Sequence, residues 1–303
     1  MDKVRGIAYV IFAAVIFGFT PFFAKLSFAN GFNEMTYILA RCVFATLFLY
    51  IFIKKKGIDI KLNKKENIDM IKVSFLGYGL MYYTLLMAFH YMPTGIASSL
   101  HFVYPLVVMV GGVLFYNNKV NLSKVVVLII AFTGIYFIVG YGSSGDITLI
   151  GLVLAVGSGV LYAYYILVVG TGSLKNISSY TLVFYVSLYN IFYFIVFSLI
   201  TNNMRFNITT EGYFFIVILS ILSLLGTVTF KKGLELINTV TAAILSTFEP
   251  LTSLIVGVVI LDEVLFPQHI VGSLFILAAV VLAALIEKRE DQSLNTKVEG
   301  KVK

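Results

Sequence analysis

Of 303 residues, 59% are hydrophobic and 12% charged, against about 45–50% and about 25% in a soluble domain, so a water-soluble globule is excluded. No polar stretch reaches the about 50 residues that a separate catalytic domain needs, so any chemistry takes place at membrane depth. The net charge of +7 does not imply nucleic acid, because the Lys and Arg residues fall between apolar runs, where they orient a membrane protein.

A helix crosses a bilayer with about 20 apolar residues. In chain order the apolar runs predict spans near 6–24, 34–53, 70–90, 95–116, 122–140, 149–169, 179–200, 212–234, 239–261 and 267–287. The first run follows Lys3 and Arg5 as a secretory leader would, but no small-x-small cleavage site precedes a polar mature domain, and it reads as an uncleaved span. The second contains Arg41 and the single cysteine, Cys42, which leaves no internal disulfide and no Cys-rich metal site. Gly77 and Gly79 in the third are candidate flexing points. Gly111 and Gly112 in the fourth, and Gly157 and Gly159 in the sixth, suit close helix approach. The residues after 287 are polar and charged and read as a disordered tail. The runs exceed the about 9–11 residues of a barrel strand and lack strict alternation. The expected fold class is an all-α membrane protein with ten transmembrane helices.

Nineteen Lys and Arg residues lie at the N-terminus, in the even-numbered loops and in the tail, seven of them in the second loop; the opposite side has only Lys25 and Arg205. The positive-inside rule then places both termini in the cytoplasm, for a multi-pass protein of a prokaryotic inner (plasma) cell membrane. The lysine-rich segment from Lys54 to Lys65 also suits anionic lipid head groups.

Sliding the chain on itself by 145 residues superposes Gly6 on Gly151, Val15 on Val160 and Thr36 on Thr181. The match is clearest where Ala97/Ala242, Leu100/Leu245, Pro105/Pro250, Leu106/Leu251, Gly112/Gly257 and Val113/Val258 coincide. The same offset aligns the span boundaries, which apolar composition alone would not do. The chain therefore divides into 1–145 and 146–287, two five-helix repeats, with 288–303 as a cytoplasmic tail. Five is odd, so the second repeat enters the membrane from the opposite face. Such inverted repeats place a substrate site near the midplane and permit alternating access.

These residues resemble the drug/metabolite transporter superfamily, and within it the EamA-like ten-helix transporters, over residues 5 to about 287. The resemblance is carried by the two five-span halves, by Arg41 in Ala-Arg-Cys-Val-Phe-Ala, by Ala88 to Pro105 with its counterpart Gly233 to Pro250, and by Leu261-Asp262-Glu263 closing the ninth span. Asn117-Asn118 departs from the pattern, where such proteins commonly have an acidic residue. The resemblance implies secondary transport of small metabolites, often export of amino acids or related compounds.

Glu249, near the centre of the ninth span beside Pro250, is costly at that depth and belongs in the bundle interior, a wet cavity or an ion pair. It is a candidate for binding a substrate ammonium or carrying a coupling proton; the competing reading is a structural carboxyl bonded to a neighbouring helix. Arg41 lies roughly 10 Å inside its span and suits a carboxylate, or else snorkels to the surface and pairs with Glu34. His101 and Tyr104, spaced i, i+3, share a helix face, as do Tyr78 and Tyr82 on the third span and Ser158 and Tyr162 on the sixth. A cavity walled by these rings suits a cationic or amphipathic metabolite; for any single one of them ordinary packing is the favoured reading.

A secondary transporter, with export favoured over an uptake carrier for a cationic or zwitterionic metabolite, therefore competes with a membrane-embedded enzyme and a channel. An enzyme needs catalytic groups clustered at depth, and only Glu249 and His101 approach that. A channel needs a filter sequence, which is missing, and without a Walker motif ATP does not drive transport directly. No cofactor and no metal are called for. The implied partners are a small-molecule substrate, the lipid bilayer and a proton as candidate coupling ion, not nucleic acid; the expected assembly is a monomer or homodimer.

Overall fold

A computed structural model describes residues 2–116, 122–139, 148–171, 173–205, 207–237 and 245–299. Among them every regular element is helical. In chain order the elements are α1 (Asp2–Gly18), α2 (Thr20–Ala29), α3 (Glu34–Lys56), α4 (Lys64–Lys72), a π-helical stretch (Val73–Leu80), α5 (Met81–Ala88), α6 (Thr94–His101) and α7 (Tyr104–Tyr116). They continue with α8 (Leu122–Val139), α9 (Leu149–Thr171), α10 (Ser179–Thr201), α11 (Thr210–Leu236), α12 (Phe248–Val259) and α13 (Pro267–Glu299). Among the described residues six helical stretches are long and apolar enough to cross a membrane, and four shorter apolar helices occupy the remaining predicted spans. Large apolar side chains such as Phe12, Leu47, Phe132, Leu199 and Phe214 point outward, as expected where the surrounding medium is hydrocarbon.

Local sequence sets the ends. Asn33 and Asn63 each form a reciprocal capping box, with Thr36 and Glu66 respectively, satisfying orphan donors of the first turn. Gly57 closes α3 in the left-handed conformation, φ 61°, just after Lys54, Lys55 and Lys56, where positive charge complements the helix dipole.

Four predicted spans are not continuous α-helices. The first breaks at Phe19, and Pro21 opens the new helix. The fourth breaks at Phe102 and Val103, just before Tyr104-Pro105; the ninth breaks at Ser246 and Thr247, just before Phe248-Glu249-Pro250. Proline has no N–H to give to a preceding turn, so it falls in the first turn of a restarted helix. The third span widens into the π-helical stretch around Gly77 and Gly79. Side chains from other spans meet freed carbonyls: Ser253 Oγ donates to the Gly18 carbonyl at 3.0 Å, and Asn190 Nδ2 to that of Ser74 at 2.9 Å. The tail differs from its reading as well, since α13 runs on to Glu299. Residues 287–299 contain neither Gly nor Pro, so nothing stops the helix before Gly300. The boundary read at 145, Asn117 and Asn118 lie outside the described residues.

Packing between the halves follows one pseudo-twofold rule. α1 packs on α11 and, in exchange, α9 packs on the π stretch and α5; α1 meets α12 as α9 meets α6 and α7; α3 meets α11 as α10 meets the π stretch. α3 pairs with its own counterpart α10, and α8 with its counterpart α13, while α6 packs on α12 where the fourth and ninth spans meet. The rule holds at atomic detail. A Cβ on Gly6 would stand 2.7 Å from Ile237 and 2.8 Å from Leu236, and one on Gly151 would stand 2.7 Å from Tyr91 and 2.9 Å from Met92. Leu236 and Ile237 lie 145 residues after Tyr91 and Met92, so the sequence offset is a structural symmetry. The fold is ten transmembrane helices in two inverted five-helix repeats.

Candidate functional site

The helix breaks, the π stretch and the middle of α9 converge on a central cavity of about 380 Å³, within the range that holds small-molecule ligands. Arg41 reaches it from α3, Tyr78 from the π stretch, Tyr82 from α5, His101 from the end of α6, Tyr104 from the start of α7, Tyr162 from α9 and Glu249 from the first turn of α12. Seven of the eight side chains singled out by sequence thus line one space.

The eighth, Ser158, is fully buried behind the wall and touches His101. Its hydroxyl lies 2.6 Å from the Ala155 carbonyl and hydrogen-bonds His101 Nδ1 at 2.8 Å. This contact holds the His101 ring between Tyr104 and Tyr162, at 5.9 and 5.5 Å between centroids. Tyr104 and Tyr162 meet edge to face at 4.7 Å, and Tyr162 stacks on Tyr165 at 5.7 Å.

Across the cavity, the Arg41 guanidinium lies over the Tyr82 ring at 4.5 Å, a cation–π contact. Tyr82 is itself stacked between Tyr37 and Tyr78. Arg41 Nη2 donates to Ser223 Oγ at 3.2 Å, while Nη1 is buried with no hydrogen-bond partner among the described residues. The sequence alternative for Arg41, pairing with Glu34, is not what forms: Glu34 pairs with His90 at the helix ends. Arg41 points inward because Tyr82 and Ser223 offer a face and an acceptor at depth.

Glu249 occupies the first turn of α12, where the half-helix dipole favours a negative charge. Among the described residues neither an ion pair nor a hydrogen bond engages its carboxylate, and Tyr82, Tyr104 and Tyr162 lie within its electrostatic reach. The site thus offers a cationic fork and a carboxylate on separate elements, not joined to one another, with tyrosine faces between. Among the described residues no three His, Cys, Asp or Glu side chains converge as a metal site.

Sequence reasoning missed Ser223, Thr227, Ser246, Phe17, Thr20 and Phe230, all of which line the same cavity. The signal was present. Each lies 145 residues from another lining residue: Tyr78/Ser223, Tyr82/Thr227, His101/Ser246, Phe17/Tyr162, Thr20/Tyr165 and Leu85/Phe230, with Tyr104/Glu249 as a seventh pair.

Comparison with known proteins agrees with this architecture. The chain is 30% identical over 188 residues to the uncharacterized transporter YxxF of Bacillus subtilis (strain 168), covering 60% of this chain and 58% of that one. It is 34% identical over 104 residues to the uncharacterized transporter YvbV of the same organism, 34% of each chain. The chain thus matches just over half and a third, respectively, of the length of these relatives. A crystal structure described only as that of a protein superposes with a TM-score of 0.67 over 94% of this chain and 98% of its own, at 11% identity; that likeness concerns the fold. The model of the EamA-like transporter family matches twice, at residues 4–140 and 149–285, one match for each half of the pseudo-twofold. With both halves accounted for, this multi-pass membrane protein belongs to the EamA-like transporter family.

Proposed function

We propose that this transporter carries a small zwitterionic metabolite, an amino acid or a related compound, by alternating access and without ATP. One observation carries the reading: the central cavity between two inverted halves holds Arg41 and Glu249 on separate elements, neither paired with the other. The fork of Arg41 suits a carboxylate. Glu249 suits an ammonium or a coupling proton, and the tyrosine faces add cation–π attraction. Discontinuous helices at the repeat interface are the setting in which secondary transporters hold substrate. Export is the direction implied by the family resemblance. The excess of Lys and Arg on one set of loops supports a cell-membrane orientation with both termini cytoplasmic.

Counterflow tests the proposal. Purified protein in liposomes loaded with a mixture of the twenty unlabelled amino acids should accumulate a labelled member transiently, with no nucleotide present. Strict dependence on ATP, conduction at channel rates, or no counterflow for any member would overturn it.

A further inference from the structure

The end of the bundle that carries Asn30, Glu34, Asn203 and Thr209 holds a second charged constellation, remote from the cavity's Glu249. Lys25 of α2 donates to Glu263 Oε1 at 2.6 Å, and the Glu263 side chain is only 6% exposed. The same carboxylate receives the Thr94 backbone N–H at 3.0 Å and the Thr94 hydroxyl at 3.1 Å, closing the first turn of α6. Three elements are tied by one side chain: the outer half of the broken first span, the leading half of the broken fourth span and the turn after α12. Lys25 and Thr94 belong to the first repeat and Glu263 to the second, so the knot crosses the interface on which the halves would move.

The backbone is shaped for this contact. Asp262 adopts a left-handed conformation, φ 52°, strained for a residue other than glycine. Through that turn the Glu263 N–H returns to the Gly257 carbonyl at 2.9 Å. Gly257 leaves the seat open, since a Cβ there would stand 2.5 Å from Glu263 Oε2.

The constellation has no charged twin. The positions 145 residues away are Gly170, Asn118 and Thr239: the threonine is duplicated, the lysine and the glutamate are not. At the opposite end the bonds between repeats are hydroxyls donating to the side chains of Asp69 and Asn67 and to the carbonyls of Asp59, Ile60 and Ile71, with no ion pair between the repeats there among the described residues. We infer that Lys25, Glu263 and Thr94 form a one-sided latch, which holds this end closed at rest and must open once in each transport cycle. The pseudo-symmetric scaffold alone would weight its two end states about equally; the latch makes them unequal.

The latch rests on the alternating-access reading, but its test needs no substrate. In a Cys42→Ala background, one pair of spin labels at Ala29→Cys and Leu149→Cys reads the latched end and a second at Lys55→Cys and Lys175→Cys reads the other, all at exposed positions. Distances are measured by pulsed electron resonance in lipid nanodiscs. With the latch intact, each pair gives one dominant distance. Glu263→Gln should raise a longer-distance population at the Ala29–Leu149 end by about tenfold, the weight of one charged hydrogen-bonded contact, and shorten the Lys55–Lys175 distance in the same fraction. Gly257→Ala, which keeps every charge and only crowds the seat, should do the same. Unchanged distances, or broadening at both ends as from loosened folding, would overturn the latch. Failed counterflow in the wild-type protein would instead strike the carrier reading, so the two failures are distinct.

Discussion

Replacing Glu249 separates a working carboxylate from a structural one, and the structure sets the size of each effect. The carboxylate has no hydrogen-bonding or ion-pair partner among the described residues and its one fixed interaction is with the α12 dipole in the first turn, about 0.3–1 kcal/mol. Glu249→Gln should therefore cost less than about 1 kcal/mol of stability and shift the melting temperature in detergent by a few degrees at most. Glu249→Leu should be no worse, since it orphans no buried donor. Transport should respond differently. Losing a charge-assisted hydrogen bond of about 1.5–3 kcal/mol lowers the apparent affinity for an ammonium-bearing substrate by roughly 10- to 100-fold. Counterflow rates of wild type and both variants, measured from pH 5.5 to 8.5 beside their melting curves, decide between them. A Gln variant with an unchanged rate and unchanged pH profile refutes the role; a collapse in stability in both variants shows that the carboxylate holds the fold.

Gly6→Val and Gly151→Val should each lower stability by about 1–3 kcal/mol through crowding, and by similar amounts, because their Cβ atoms meet Leu236/Ile237 and Tyr91/Met92 at matching distances; thermal melts of widely different size would deny the symmetry. Ser158→Ala leaves His101 Nδ1 without its hydrogen-bond partner, an expected loss of about 1–3 kcal/mol, whereas Ser158→Cys, which keeps a weak partner, should lose less. Single cysteines between Lys54 and Lys65 in the Cys42→Ala protein should resist a membrane-impermeant thiol reagent on intact cells; labelling from outside would reverse the proposed topology.

Much of this was legible in the sequence because a bilayer allows few solutions. Apolar run lengths found the ten helical segments, and one offset found the inverted repeat. The breaks were harder to read: hydropathy averages over a span, and the turns at Phe102-Val103 and Ser246-Thr247 consist of residues that fit a helix equally well. Pro105 and Pro250 were the only local signs, and a proline marks a first turn as readily as a kink. The tail was misjudged because charge was read as disorder, although Glu287-Lys288-Arg289-Glu290 are good helix formers. At the site, seven of the eight side chains selected by depth and residue type line the cavity. Ser223 and Thr227 escaped since hydroxyl residues abound in apolar helices, where they commonly donate to the carbonyl four residues back, as Thr227 does to Ser223.

The lining pairs show how a symmetric scaffold gains a chemically asymmetric site. Gene-scale symmetry supplies equivalent backbone positions; it does not require equivalent side chains. Where the first repeat presents Tyr78 and Tyr82, the second presents Ser223 and Thr227, and Arg41 lies against one member of each set, Tyr82 and Ser223. Where the first presents Tyr104 beside Pro105, the second presents Glu249 beside Pro250. At these positions the first repeat supplies tyrosine faces and the second hydroxyls and the carboxylate, whereas Tyr162 and Tyr165 of the second repeat stand where the first has Phe17 and Thr20. Neither half alone holds both charges that a zwitterion needs. When the halves rock on the proposed mechanism, both charges stay at the seam, because each belongs to a different repeat and faces the same space. On the proposed mechanism symmetric packing would let the halves exchange conformations, while their unlike side chains keep the site at the seam chemically defined.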